Sequence, residues 1–294
     1  MILPKFDFHE PKTLHEACQI LAEYGAQAKL IAGGTDLLVD MKKNLVSPKQ
    51  LLSISKIDEM KQLDLSSGGL KIGSCLTVAD IAAASIIASK WSALCAGARA
   101  LGSPQIRNLA TIGGNIGSAS PAADLPPSLI SYGAKLVLKK YSGDRVVSMD
   151  QFFVGPRRTK IDPDEIISEI QIDTPPPYSG AGYISLGIRS CQDIKIVNVA
   201  AFITLESPRG IIKNARVVMG CVGPTCKRAI SAEKLLIGEK PGEAIFTKAG
   251  EAAMRDCSPR GSAESRASAE YKKDMVGVLT RRTLSEALKA AMEQ

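Results

Sequence analysis

Aromatic residues are the scarcest broad class in this sequence, at 4% of 294 residues. A nucleic-acid-binding chain needs flat side chains on which bases stack, or a concentrated basic face. Here the net charge of +7 comes from Lys and Arg spread along the chain. The excess is read as a solvated surface or a patch that meets an acidic partner, and a nucleic-acid role is set aside. Histidine is nearly absent: His9 and His15 are the only two. Both precede the first candidate site and suit surface or first-helix positions, so a zinc hydrolase or histidine-based triad lacks its parts. The seven cysteines are scattered at 18, 75, 95, 191, 221, 226 and 257, the pattern of reduced thiols in a cytoplasmic protein. Cys221 and Cys226 have the spacing that opens a plant-type iron–sulfur motif, but Ala229 stands where the next ligand belongs. The pair is therefore assigned to packing beside the turn at Gly223 and Pro224. No apolar run reaches the roughly 18 to 20 residues that span a bilayer, and "MILPKFDFHEP" has no basic-then-apolar leader pattern. Gly-x-Gly-x-x-Gly and Gly-x4-Gly-Lys-Ser/Thr are both missing, which removes a Rossmann site and a P-loop. No internal repeat points to a solenoid.

What is present is a globular composition, 45% hydrophobic and 23% charged, in a chain long enough for two or three domains. Leu14, Ala17, Cys18, Leu21 and Ala22 recur at helical spacing, and Thr13 with Glu16 forms a capping-box pattern before them. A strand at 28–32, a Gly-Gly turn, a helix from Asp36 or Leu37 to about Lys43 and a strand at 51–55 make a βαβ-like unit over 1–55. A second unit, 56–175, opens with a tight turn at Gly68-Gly69, a strand and a helix capped by Thr77. It continues helical through Trp91, Leu94, Cys95 and Ala98, then predicts a short helix from Asp124 to Ile130 and strands at 134–140, 144–150 and 164–172. The stretch 173–182, with three prolines, is the clearest linker. The last unit, 179–294, has a hairpin pattern of three strands and ends in a helix carrying Tyr271, Met275, Leu279, Leu284 and Leu288.

Two loops are built alike: Ala32-Gly33-Gly34-Thr35 and Ile112-Gly113-Gly114-Asn115. Adjacent glycines after a strand permit positive φ and let a ligand approach the main chain without meeting a Cβ. The unpaired amides there, and at the following helix start, favour anions. Thr35 and Asn115 add side-chain donors, and Thr111 and Ser118 can add more. Each loop alone is also explained as a tight turn; two of them suit the two halves of a diphosphate. A diphosphate site with few general bases fits a cofactor that carries the chemistry itself, of which flavin is one.

The segments "AGGTDLLVDMK", "GSPQIRNLATIGGNIGSASPAADLPP", "RSCQDIKIVNVAA" and "YKKDMVGVLTRRTLSEAL" resemble the FAD-binding medium subunit of molybdenum hydroxylases, over essentially the whole chain. This is the family of carbon monoxide dehydrogenase, xanthine dehydrogenase and 4-hydroxybenzoyl-CoA reductase. The resemblance implies an α+β chain: a vanillyl-alcohol-oxidase-type (PCMH) FAD-binding fold of two α/β subdomains, then a C-terminal α+β domain. It implies that Lys29, Leu30, Ile31, Ala32, Gly33, Gly34, Thr35 and Asp36, with Ala110, Thr111, Gly113, Gly114 and Asn115, wrap the FAD diphosphate. Leu101 and Gly102 match positions beside the adenine. Ser118, Ala123 and Asp124 match positions toward the sugar, ribityl and flavin parts. Ile167 and the stretch 185–193, beginning at Ser185, match the border of the isoalloxazine. Relatives often carry Lys where this chain has Ser185.

By the same resemblance the chain holds no catalytic acid–base residue and no metal. It relays electrons between [2Fe-2S] clusters of a small subunit and an external acceptor or donor, while substrate reacts at a molybdopterin cofactor in a large subunit, in a cytoplasmic dimer of heterotrimers. "AGGTDLLVDMK" looks nearer to aromatic or heteroaromatic enzymes than to carbon monoxide oxidation. The alternatives are a self-contained FAD reductase of the same fold, whose last domain would need a proton donor, and a non-catalytic subunit with an empty flavin site.

Overall fold

The first helix, Leu14–Tyr24, starts where its sequence provides a reciprocal cap. The Thr13 hydroxyl accepts from the Glu16 amide at 3.2 Å, and the Glu16 carboxylate accepts from the Thr13 amide at 3.3 Å. It buries Leu14, Ala17, Cys18 and Leu21 and leaves Ala22 exposed. The computed structural model describes residues 3–66, 68–189, 192–261 and 266–293; Cys191, within the third resemblance motif, lies outside them. The helix packs with Leu52 and Ile54 beside a parallel sheet of order Asp7–His9, Gln50–Ser53, Ala28–Ile31. The strand Asp7–His9 was not legible as one: it is a short edge with Phe8 turned out to 56% exposure, so no buried alternation marks it. His9 bonds Gln50 and His15 stacks near Tyr141, the structural positions expected of them.

The second sheet is antiparallel throughout, in the order Leu63–Ser66, Gly69–Gly73, Ile166–Asp173, Lys135–Lys140, Gly143–Ser148. Its core joins Leu70, Ile72, Leu136 and Ile170 to Trp91, Leu94 and Leu129 from the helices. The helical stretch around Trp91 is divided into Val78–Ala83, Ser85–Lys90 and Ser92–Ala100. Trp91 itself leaves helical geometry, at φ −125° and ψ 51°, with its side chain fully buried. Burying the indole decides the local path here, over the helix propensity of its neighbours.

The third sheet is an antiparallel meander, Ser179–Leu186, Val197–Leu205 and Ile212–Gly220, extended by Lys227–Arg228. Helices Ile230–Leu236, Glu243–Asp256 and Ala269–Met292 cover it. The expected linker 173–182 is shorter than its composition implies, because residues from Ser179 onward are already strand. Gly180 and Gly182 sit there for packing. A Cβ at 180 would lie 2.1 Å from the Ala287 carbonyl oxygen, and one at 182 would lie 2.7 Å from that of Thr283. The long helix thus meets the sheet through small residues. Its buried face runs Lys272, Val276, Leu279, Thr283, Leu284, Ala287 and Ala291. Tyr271, assigned to that face by spacing, is instead 45% exposed; close backbone approach selects the face, not the largest side chains.

No helix among the described residues is long and apolar enough to cross a membrane. The six described cysteines are free. Gly180→Ala should lower folding stability by about 1–3 kcal/mol, the range for overpacking. A urea midpoint equal to that of the parent would contradict the helix–sheet contact.

Candidate functional site

The strand Ala28–Ile31 ends in the first glycine loop and re-enters regular structure at the helix Leu37–Lys42. Gly34 holds φ at +69°, a left-handed conformation that glycine adopts without strain. Gly33 has a different reason. A Cβ at that position would lie 1.8 Å from the Leu109 carbonyl oxygen and 3.1 Å from the Ala110 Cα. The two predicted loops therefore touch, main chain against main chain. Among the described residues, the amides of Gly33, Gly34, Thr35 and Asp36 donate to no protein acceptor. Asp36 occupies the cap position of the next helix without making a side-chain cap bond. Lys29, Leu30, Ile31 and Ala32 lead into this turn and are pinned to the strand Gln50–Ser53 and the Ile54 amide.

The second loop spends its amides differently, which corrects the expectation of a free anion nest there. The Ile112 amide donates to Leu76 O at 3.1 Å and that of Gly113 to Ser74 O at 2.8 Å. The Gly114 amide donates to Thr111 Oγ1 at 3.1 Å and that of Asn115 to Thr111 O at 2.9 Å. Thr111 caps the helix Ile112–Gly117, and Gly113 is glycine because a Cβ would meet the Ser74 Cβ at 2.6 Å. Ser118 donates its hydroxyl to Asn115 O at 2.9 Å. What this loop leaves over is a side chain: Asn115 Oδ1 is buried with no hydrogen-bond partner. Such an atom is costly unless something outside the chain satisfies it.

Nearby, Leu101 is buried and its carbonyl accepts from Arg107 at 2.8 Å. Gly102, at φ +51°, accepts from the Gln192 amide at 3.2 Å, which ties the 101–109 segment to the third sheet's hairpin. Ile167 is buried, its Cδ1 3.8 Å from where a Gly117 Cβ would stand.

Asp124 stands at the start of the helix Leu125–Ser131 but does not cap it. Its Oδ1 accepts from the Tyr183 hydroxyl at 2.7 Å instead. Burial raises the carboxyl to about 6, against the lowering effects of Tyr183, Lys195 and Asn198. Burial likewise drives the Tyr183 hydroxyl well above its ordinary value, so it remains a donor. Asn198 adds a bond from Nδ2 to Ala123 O at 3.3 Å, and the Cys221 amide donates to Pro121 O at 2.8 Å. Ser185 lies two residues from Tyr183 on the same strand face, opposite Asn198. The third sheet thus closes on the 118–124 segment through buried polar bonds. Tyr183, Asn198 and Lys195 were not singled out from sequence. The available signal was the run Gly180, Gly182 beside a polar aromatic, in which alternate residues must face different layers. Cys221 and Cys226 are thiols raised by burial, packing residues as expected.

Free loop amides for an anion, an orphaned buried carbonyl and a buried carboxyl at a domain seam form a set that a diphosphate-bearing nucleotide with hydroxyl groups satisfies. Among the described residues no cluster of His, Cys, Asp and Glu could hold a metal ion. The fold and the site define a nucleotide-cofactor domain covered by an α+β domain. Residues 4–175 match the FAD binding domain in molybdopterin dehydrogenase, and residues 184–287 match the carbon monoxide dehydrogenase flavoprotein C-terminal domain. The chain belongs to this family of FAD-binding oxidoreductase subunits. It is 30% identical to the carbon monoxide dehydrogenase medium chain of Hydrogenophaga pseudoflava, over 98% of each chain. It is 32% identical to the xanthine dehydrogenase FAD-binding subunit of Escherichia coli O157:H7, over 97% of this chain and 98% of that one. Its fold superposes with a TM-score of 0.93, at 31% identity and 99% coverage of both chains, on carbon monoxide dehydrogenase from Hydrogenophaga pseudoflava lacking the Mo-pyranopterin moiety. For quinoline 2-oxidoreductase from Pseudomonas putida 86 the TM-score is 0.91 at 26% identity, covering 99% of this chain and 100% of that one.

Because folding raises the Asp124 carboxyl from 3.8 to about 6, the folded state binds its proton more tightly than the unfolded chain. The stability this contributes is full below about pH 4 and is lost as pH rises through 6. Carboxyl ¹³C NMR of the cofactor-free chain should show one group titrating near 6, absent in Asp124→Asn and shifted upward in Tyr183→Phe, where a bond favouring the carboxylate is gone. A downward shift in Tyr183→Phe would refute the assignment.

Proposed function

We propose that this chain is the electron-relay subunit of a molybdenum hydroxylase, holding one FAD through the two glycine loops. The observation that carries the reading is the main-chain contact of Gly33 with Leu109 and Ala110, beside four amides without acceptors. Bound FAD would supply the redox chemistry, accepting or releasing electrons singly or in pairs. The chain's own residues do the rest. The amides of Gly33 to Asp36, with the Thr35 side chain, offer donors to the diphosphate. Leu101 and Gly102 wall the adenine, and Asn115 Oδ1 accepts from a cofactor donor. Ser118, Ala123 and Asp124 line the ribityl side, with Asp124 held by Tyr183. Ile167 and Ser185 border the ring and exclude water from it.

Electrons enter or leave through [2Fe-2S] clusters of a small subunit, and substrate reacts on a large molybdopterin subunit, in a dimer of heterotrimers. The relatives named as medium chain and FAD-binding subunit support a role within a larger assembly. The substrate of that assembly is read as aromatic or heteroaromatic; the xanthine dehydrogenase and quinoline oxidoreductase relatives favour it, and the carbon monoxide dehydrogenases are its rival. The six free cysteines support a cytoplasmic location.

Purified with its two partner subunits, the chain should carry about one FAD per copy by absorbance after acid release. Gly33→Ala should lower retained FAD at least tenfold by forcing the loops apart, with the thermal melt of the third sheet's domain preserved. A flavin-free parent complex would overturn the relay reading.

A further inference from the structure

Two lysines are buried without a counter-charge. Lys195 is 8% exposed and Lys272 5%, and among the described residues neither ammonium has a hydrogen-bond or ion-pair partner. A buried unpaired cation destabilises a fold by several kcal/mol unless something outside the chain compensates it. The other buried charged side chains behave otherwise: Glu165 pairs with Arg145, Glu233 with Arg228, and Asp193 with Arg266.

Of the two lysines, Lys195 is the one that bears on the candidate site. It acts electrostatically on both Asp124 and Cys221, whereas Lys272 acts on Cys221 alone. It follows the end of the paired strands, Leu186 against Val197, by two residues. It also follows Asp193, whose carboxylate takes the Ile188 and Arg189 amides and pairs with Arg266. Lys195 therefore sits on a fixed segment rather than a loose one. Its nitrogen is not sealed in: unlike Asn115 Oδ1, it retains contact with open space. A buried stem, an anchored base and a head facing an opening beside Asp124 describe a charge aimed at a ligand. Across the hairpin, Ser185 brings no charge of its own.

We propose that Lys195 supplies the positive charge beside the isoalloxazine, and so tunes the reduction of FAD in this chain. The inference rests on the FAD reading above. Two one-electron iron–sulfur donors are oxidised, and the flavin takes their two electrons and one proton from solvent. The ring then carries one net negative charge, which the ammonium stabilises relative to the neutral oxidised ring. Lys195 is a tuning residue in this scheme; no bond to it forms or breaks.

The test uses the full chain with its partners. Flavin content is measured first, then the two-electron midpoint potential by dye-linked spectroelectrochemistry. Lys195→Met should retain one FAD and weaken binding of reduced relative to oxidised FAD at least tenfold, a fall of about 30 mV in midpoint. Lys195→Arg should keep the parent potential, and Lys195→Met combined with Ser185→Lys should recover it. An unchanged midpoint in Lys195→Met overturns the proposal. So does a folded Lys195→Met that fails to hold oxidised FAD, because that marks a structural role. A parent complex without flavin would instead defeat the FAD reading itself, before any variant is compared.

Discussion

Everything at this site depends on one main-chain contact, the Gly33 backbone against the carbonyl of Leu109. The two segments come from different sheets: one leaves a parallel three-stranded sheet, the other follows helices packed on an antiparallel five-stranded one. No side chain joins them there. A methyl group at 33 would need space that the Leu109 oxygen occupies, at 1.8 Å, so the juxtaposition exists only while that residue is glycine. This differs from the usual reason for glycine in a phosphate loop, where the missing Cβ makes room for ligand. Here the missing Cβ makes room for protein, and the ligand-facing property is the row of unpaired amides that follows.

The two loops look interchangeable as sequence but divide the work. The first keeps its amides free and has little other polarity. The second satisfies its amides internally, through Thr111, Ser74 and Leu76, and offers a side-chain carbonyl instead. A helix whose first amides are already bonded has little left with which to attract an anion. It serves as a rigid wall, fixed by its cap and by Gly113 against Ser74. Symmetry in sequence thus conceals an asymmetry in hydrogen bonding that only the third dimension reveals.

Much of this was legible and some was not, for identifiable reasons. The Thr13–Glu16 and Thr77–Asp80 caps are local, set within four residues, and both form as their spacing requires. The meander of the last third follows from runs of apolar residues at strand length, and the family-specific segments fix the fold as a whole. Three things were hidden because they depend on distant packing. Trp91 breaks its helix to bury an indole. Tyr271 leaves the apolar stripe because Gly180 and Gly182 draw the helix's small residues to the sheet. Asp124 reads as a cap, yet bonds Tyr183, fifty-nine residues further along.

That last bond shows why a carboxylate and two lysines are tolerated in the interior. Asp124 is buried and raised by its surroundings, and the one hydroxyl it accepts from cannot be its full complement. Lys195 lies near enough to act on it but does not pair with it. If the fold were optimised for its own stability, the two would close into an ion pair or give way to apolar residues, which are often the more stable choice. They remain apart instead, each anchored by other bonds and each left with unsatisfied capacity. A seam that withholds its charges from one another has them available for a third party, and stability given up at such a place is characteristic of binding sites.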